Sequence, residues 1–403
     1  MHRAHVGCDF ALQSNVVILS TARTPIGAFQ GSLSSLSATD LGVHAVRSAI
    51  KRAKIDVKDI NEVILGNVVS SGLGQAPATI VTIQAGVGTT VPSTAVNKVC
   101  ASGMKTVMFG AQSIQLGQNN VVVAGGFESM SNIPYLLPKA RKGLGMGHGV
   151  VEDALIKDGL WDAQDNQHMG MAAEHCANQY KFTRAQQDEY TFETFRRAQE
   201  AQKEGRFKDE IEPITIKSKT GDVVVSEDES PAKLRKDKVP TLKPAFTKDG
   251  TVTAANSSSL NDGACAIVLS SDAFASSHNL KPLARIIGYA DAQQKPVDFT
   301  TTPALAIPMA LKNAGITLDQ VDALEINEAF AVVAMANTQI LGLDKSKLNV
   351  NGGAVALGHP IGCSGARIIG TLINVLKQKK GKYGVASICN GGGGASAIVI
   401  EMM

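Results

Sequence analysis

Residues 49–67 (AIKRAKIDVKDINEVILGN) align without a gap on residues 310–328 (ALKNAGITLDQVDALEINE), placing Ala49 on Ala310, Lys51 on Lys312, Ala53 on Ala314 and Ile55 on Ile316. A chain that repeats a helix–strand unit must build the same supersecondary structure twice, which narrows the fold more than any other feature here. At nearly the same offset Ser102-Gly103 falls on Ser364-Gly365, each followed by a long apolar helical pattern, and Gly125-Gly126 falls on Asn390-Gly391, each after a strand-like run. Two copies are too few for a solenoid. They imply two α/β halves packed as a pseudo-symmetric pair around a shared interface. The first half reads as a strand at 16–20, a helix capped at Thr39-Asp40 and running to Ala53, a strand at 62–66, a helix near 76–85, and strands near 93–96 and 121–126. That rhythm predicts a parallel sheet with its loops emerging along one edge.

Residues at roughly 127–280 have no counterpart in the repeat; they hold the single tryptophan, Trp161, and amphipathic helical patterns near 170–180 and 184–204. An insert of that length with its own helices predicts a cap over a cleft rather than a linker. Within it Lys233, Arg235, Lys236, Lys238 and Lys243 stand against a single Asp237, which makes either a solvated face or a phosphate contact. The chain as a whole has no such bias. Its 39 basic and 36 acidic residues leave a net charge of +3, which implies neither a nucleic-acid surface nor a membrane-binding face. No apolar run approaches the ~20 residues of a spanning helix. Six scattered cysteines without a C-x-x-C pair predict free thiols in a reducing compartment. Residues 1–14 read as the tail of a targeting segment or as a simple extension.

Four stretches carry candidate chemistry. Cys100 immediately precedes the helical pattern at 101–116, where unpaired amide donors and the positive end of the helix dipole favour a thiolate; the plain alternative is a small core residue. In the second half, NGGAVALGHPIG at 351–362 puts His359 beside the position that the repeat equates with Cys100, so duplication sets the two across the pseudo-twofold as an activated nucleophile. Cys389 ends a strand and precedes Asn390 and four glycines at 391–394, whose N–H groups can point at a developing oxyanion. Asn327 ends the strand at 323–326 and could hold a water or a carbonyl oxygen. Convergence of these loops on one edge of a duplicated sheet predicts an active cleft with two reactive thiols.

Together these residues resemble the thiolases, and within them the acetyl-CoA C-acetyltransferases, over residues 16–402. Cys100 in VCASGMK, NEAF at 327–330, GHP at 358–360 and CNGGGG at 389–394 are similar to the family's four active-site motifs, and TARTPIGAFQG at 21–31 is similar to its first turn. The resemblance implies an α/β thiolase fold of five αβαβα layers made from two duplicated halves with an inserted loop domain. The first half would span 16–276, including a coenzyme A-binding loop domain at about 127–276, and the second 282–402. The implied activity is the reversible condensation of two acetyl-CoA to acetoacetyl-CoA and coenzyme A, through an acyl-Cys100 intermediate. Cys100 would carry the acyl group, His359 would take its proton, and Cys389 would move an α-proton of the second acetyl-CoA. His359 and a water on Asn327 would form one oxyanion hole, and the N–H groups of Cys100 and Gly391 the other. No cofactor or metal is required for this chemistry, coenzyme A being substrate and product. A homo-oligomer is also implied, a tetramer built from dimers, with neither nucleic acid nor membrane as partner.

The implied coenzyme A contacts are Leu160, His168 and Met169 in HMG at 168–170, Ala254, Ser257 and Ser258 in VTAANSSSLNDGA, Ala329 and Phe330, with Lys233 and Lys238 near the adenosine phosphates. VTAAN at 252–256, DVVVSEDE at 222–229 and HPIGCSGARI at 359–368 are most similar to the mitochondrial branch, implying the matrix, with the cytosol as the alternative. That branch implies potassium at Ala254, Ala255, Ser257 and Val355, although Gln164 replaces the tyrosine expected to assist. Two other functions stay open. A longer-chain 3-ketoacyl-CoA thiolase would share every catalytic motif, while HMG leans towards short chains. A catalytically silent acyl-CoA-binding or scaffold protein on this fold should have lost a cysteine, and both are present. A decarboxylating ketoacyl synthase would carry a second histidine where Asn327 stands.

Overall fold

The computed structural model describes residues 14–217 and 221–403; the targeting reading and Cys8 lie outside the described residues. Strands β1 (Val16–Arg23), β2 (Glu62–Gly66), β3 (Ser93–Val96), β4 (Val121–Ser129) and β5 (Asn261–Ser271) belong to the first half. Strands β6 (Ala284–Gln293), β7 (Ala323–Ile326), β8 (Tyr383–Asn390) and β9 (Gly394–Met402) belong to the second. With the short pair Gly27–Ala28 on β5, they form one ten-stranded sheet in the order β7-β8-β9-β6-β1-β5-β4-β2-β3.

The order exposes the duplication. Outward from the β1–β6 junction one half reads β1-β5-β4-β2-β3 and the other β6-β9-β8-β7, with Leu348 bridging Leu324 where the counterpart of β3 belongs. Pairing repeats as well: antiparallel, antiparallel, then parallel. The sheet is therefore mixed rather than parallel. The turn between β8 and β9 is too short for a crossover, and a tight turn can join only antiparallel neighbours.

Among the described residues the helices of eight or more residues are α1 (Ala38–Ala53), α2 (Pro77–Gln84), α3 (Ser102–Gln115), α4 (Met169–Tyr180), α5 (Arg184–Lys203), α6 (Pro303–Ala314), α7 (Ala331–Leu341) and α8 (Ile361–Lys379). The cap of α1 is Ser37 in a reciprocal box with Asp40, one turn-position earlier than the sequence suggests. Because strand residues alternate faces, each half-sheet feeds two cores. Val17, Leu19, Val63 and Val121 pack with Leu41, Val46 and Val81 on the outer side of the first half. Leu324, Val385 and Val399 pack with Ile307, Leu311 and Val332 on the outer side of the second. Between the half-sheets, Val16, Ile18 and Leu269 from one and Ile388, Ile398 and Ile400 from the other share a core with Met104, Val107, Ile368 and Leu372 of α3 and α8. This is the five-layer αβαβα arrangement.

The central helices cross at the two glycines that the repeat equates. A Cβ on Gly103 would lie 2.9 Å from Ala366 N and Gly362 O, and one on Gly365 would lie 2.4 Å from Met104 N. Only glycine permits so close an approach, and it draws both helix N-termini to one place, with Cys100 ahead of α3 and His359 ahead of α8.

The insert is shorter than the 127–276 read from sequence. Strand β5 pairs with both β1 and β4, so it belongs to the first half-sheet, and the non-repeated stretch is 130–260. Its anchor is Arg23, fully buried, which donates from Nε to Glu210 (2.7 Å) and from Nη1 and Nη2 to Asp228 (2.7 and 2.9 Å). Among the described residues no helix is long and apolar enough to cross a membrane.

Candidate active site

Cys100 is delivered by a strained turn. Val99 has φ +47°, a left-handed conformation that costs a β-branched residue energy and that surrounding bonds must hold. Here Asn97 Oδ1 accepts from Val99 N (2.9 Å), while Ser102 Oγ donates to Val99 O (2.6 Å) and accepts from Lys98 N (2.9 Å). The second thiol, Cys389, is fully buried at the end of β8 and close enough for the charge on Cys100 to raise it. The glycine turn after it swings back to the first half, where the backbone of Gly391 lies near enough to Cys100 to favour its thiolate. Gly392 and Gly393 have φ of +84° and +92°, and a Cβ on Gly393 would strike Gln294 O at 2.2 Å, so the turn requires glycine. Gln294 N and Thr302 Oγ1 fix it by donating to Gly393 O, each at 3.0 Å.

The expectation of a helix-stabilised thiolate is overturned for the unliganded site. Burial outweighs the N–H donors and pushes the Cys100 thiol up to about 11, and burial drives Cys389 well above the usual thiol range. His359 moves the other way, down to about 3, through burial and then the positive charge of Arg367. All three groups are therefore neutral near pH 7.

His359 Nε2 lies 3.5 Å from Asn327 Nδ2, and Nδ1 lies 2.6 Å from Ser364 Oγ. Asn261 Oδ1 accepts from His359 N (3.0 Å) and fixes the loop before α8. Asn327 is buried at the end of β7, its N–H donates to Ser387 O (3.0 Å), and its Oδ1 has no partner within the protein. No hydrogen bond among the described residues joins His359 to either sulfur. Direct pairing of His359 with Cys100, expected from the repeat, is thus absent; catalytic contacts commonly close only around substrate.

Two carboxylates that sequence reading missed hold the frame. Glu128, fully buried, accepts from Val68 N (3.0 Å), Val69 N (3.2 Å), Asn67 Nδ2 (3.1 Å) and, across the pseudo-twofold, Gly362 N of α8 (2.9 Å). Burial still pushes it up to about 7. Glu328 of NEAF accepts from Tyr190 Oη (2.7 Å), Thr194 Oγ1, Asn349 Nδ2 (2.9 Å) and Val355 N (3.1 Å), tying α5 of the insert to the catalytic half.

A cleft of about 640 Å³ enters between the insert and the first half, a volume suited to a cofactor-sized ligand. Lys233, Arg235 and Lys238 line it with Phe29, Leu234 and Ala254, so the basic run supplies part of its wall, although Lys236 faces a different cavity. Lys233 also meets Glu229 at 2.6 Å. Beyond the cleft wall, Ser258 N and Oγ donate to Ala329 O (3.0 and 2.9 Å), and Ser257 bridges Phe330. Phe330 meets Phe246 edge-on, and Phe246 stacks on His168 at 4.8 Å between centroids. Met169 reaches to within 3.8 Å of the Cβ position of Gly391, and Leu160 packs in the small core beside Cys100. These contacts link Ser257 through Phe330 and Phe246 to His168, next to which Met169 approaches the glycine turn after Cys389. Arg235 and Phe195 were missed as lining residues, and Phe246 as the ring between Phe330 and His168; only Arg235 had a signal, its membership of the basic run.

The potassium reading needs correction at one residue. Ala254, Ala255, Ser257 and Val355 do share the cleft wall, but Gln164 is exposed in the turn between the strand pairs at 161–168, its N–H bonded to Asp162 Oδ1. The aromatic residues in that wall are Phe29 and Phe195, whose rings offer no oxygen, so the expected tyrosine has no counterpart among the lining residues and any oxygens for potassium would be the carbonyls of the four.

Comparison with known proteins adds the following. The family described as "Thiolase, N-terminal domain" matches residues 16–273, and "Thiolase, C-terminal domain" matches residues 280–402. Acetyl-CoA acetyltransferase 1 of Arabidopsis thaliana is 54% identical over 399 residues, 98% of this chain and 96% of that one. Acetyl-CoA acetyltransferase of Saccharomyces cerevisiae is 53% identical over 396 residues, covering 97% of this chain and 100% of its own. The crystal structure of Acat5 thiolase from Ascaris suum in complex with coenzyme A superposes with a TM-score of 0.92 at 46% identity, covering 96% of this chain and all of that one.

Proposed function

This chain belongs to the thiolase family, and from that membership we propose that it is an acetyl-CoA acetyltransferase, an acyltransferase joining two acetyl-CoA into acetoacetyl-CoA and coenzyme A and running thiolysis in reverse. The assignment of roles rests on one observation above others: Cys100 and Cys389 come from opposite halves, and the backbone of Gly391, in the glycine turn after one, favours the thiolate of the other. Cys100 attacks the thioester carbonyl, its proton passes to His359 Nε2, and coenzyme A leaves with that proton as acetyl-Cys100 forms. Cys389, its own proton having passed to His359 Nε2, then takes an α-proton from a second acetyl-CoA as a thiolate. The resulting carbanion attacks the acetyl carbonyl, the new carbon–carbon bond forms, and the Cys100 thiolate departs and recovers a proton from His359. Gly391 N–H is aimed at the oxyanion beside Cys100, and Asn327 with protonated His359 at the enolate oxygen.

In a Cys389→Ala variant, radiolabelled acetyl-CoA should still label Cys100 while acetoacetyl-CoA formation disappears; an unlabelled protein would refute this division of labour. Turnover of acetoacetyl-CoA, 2-methylacetoacetyl-CoA and a long-chain 3-ketoacyl-CoA separates the short-chain reading from the longer-chain one. Gln164, standing where the assisting tyrosine is expected and exposed outside the cleft wall, argues against activation by potassium, so exchanging potassium for sodium at constant ionic strength should leave turnover within about twofold.

A homo-oligomer, a tetramer built from dimers, is supported by Tyr135, Leu137, Leu144, Met146, Val150 and Val151, large apolar side chains exposed together in the insert. Light scattering of the purified chain reads its mass directly. The matrix location rests on branch resemblance alone, and import of the full chain into isolated mitochondria tests it.

A further inference from the structure

The loops carrying Cys100 and His359 are braced by the same residue at the same repeated position. Ser102 and Ser364 are equated by the internal repeat, and both lie in the first turns of the two central helices. The direction of bonding at Ser102 is unambiguous, because a backbone N–H can only donate and a carbonyl can only accept. Its hydroxyl receives Lys98 N (2.9 Å) and donates to Val99 O (2.6 Å), closing the turn on either side of the residue before Cys100.

Ser364 repeats the pattern with a ring nitrogen in place of the amide. Its Oγ lies 3.0 Å from Pro360 O, which can only accept, and 2.6 Å from His359 Nδ1. A serine hydroxyl has one proton. Given to Pro360 O, as its twin gives its own to Val99 O, that proton leaves an oxygen lone pair facing Nδ1, and Nδ1 must then carry hydrogen. Nε2 is left bare, as an acceptor facing Asn327 Nδ2 at 3.5 Å. With the Asn327 amide turned as it is, Nδ2 towards the ring, the reversed tautomer would set Nε2–H against an N–H, two donors face to face. Both Ser364 and His359 are buried, so neither arrangement is averaged away by solvent.

We propose that Ser364 is a positioning residue that locks His359 as its Nδ1–H tautomer, so that Nε2 is the atom able to accept the proton of Cys100. This deepens the thiolase reading and rests on His359 acting as the base. The partner on the far ring nitrogen decides which nitrogen is basic, and losing such a partner commonly costs about 10–100-fold in activity.

Neutron diffraction from deuterium-exchanged crystals of the full chain tests the tautomer without a variant: a deuteron on His359 Nδ1 and none on Nε2 is expected, and a deuteron on Nε2 overturns the proposal. In solution, Ser364→Ala should lower kcat for thiolysis by about 10–100-fold with KM for the thioester within about twofold, and Ser364→Thr, which keeps the hydroxyl, should recover most of the loss. Wild-type kcat in Ser364→Ala, or a Ser364→Thr as slow as the alanine variant, would also overturn it. His359→Ala separates the two levels. If it still acetylates Cys100 at the normal rate, the base reading itself fails; if it does not and Ser364→Ala is fully active, only the serine proposal fails.

Discussion

Cys100 and His359 meet the substrate as neutral groups, which distinguishes this site from one that stores a thiolate–imidazolium pair. The thiol is held up to about 11 and the imidazole down to about 3, so across the neutral range the thiol keeps its proton and the ring has none to offer as a cation. Burial is the first cause of both directions, His359 being buried and Cys100 partly so. The thiolate is the reactive species, so below its pKa its population rises tenfold per pH unit. Alkylation of Cys100 by iodoacetamide in the unliganded enzyme should therefore climb with a slope near one on a logarithmic scale from about pH 6 to about pH 9. A plateau beginning near neutrality would reveal a preformed ion pair and contradict the neutral site. Protection by acetyl-CoA is expected, because acetylation then consumes the same sulfur.

At the scale of elements, the contact between α3 and α8 does most to assemble the site, and its tolerance is small. A methyl group on Gly365 would press on Met104 N at 2.4 Å, a backbone atom in the interior of a packed helix that cannot step aside. Overpacking of this kind costs about 1–3 kcal/mol. Gly365→Ala should lower the urea midpoint accordingly and also reduce kcat, because separating the helices moves His359 away from Cys100. Gly103→Ala, with its nearest atoms at 2.9 Å, should be the milder of the pair; equal stability of both variants and the parent would show that the crossing is slack. Part of this was legible in the sequence. The match of Ser102-Gly103 with Ser364-Gly365 located the crossing, and the strand at 323–326 was read with its observed ends. Strand direction was not legible, because which strand neighbours β5 or β9 is settled by pairing across distant segments that local periodicity does not encode. The two pinning carboxylates were hidden for the same reason: Glu128 and Glu328 look like ordinary acidic residues until the backbone donors of remote loops surround them.

The whole molecule follows from a duplication in which neither copy is complete. Helix α8 is buried at every position from Ile361 to Leu376, and a helix apolar or covered on all sides needs neighbours all round. Some of those neighbours belong to the other half: Met104 and Val107 of α3 share a core with Ile368 and Leu372, and Gly362 N is held by Glu128. The half-sheets are also joined directly, β1 to β6, through Val16–Ile286 to Ile18–Ala284. Separating the halves would expose one flank of each central helix and leave Glu128 with fewer donors, while the inserted segment would lose the contacts Glu328 makes with Tyr190 and Thr194. Expressed alone, residues 14–279 and residues 280–403 should each lack a cooperative thermal transition and a sharp near-ultraviolet spectrum, whereas the intact chain should unfold with the two halves together. Co-expression of the pieces should restore thiolysis, since the break falls in the loop between β5 and β6 and severs none of the strand pairs. A cooperative melt from either isolated half would mean that each copy carries its own sufficient core, and the shared central layer would then be a docking surface between independent domains rather than the centre of one fold.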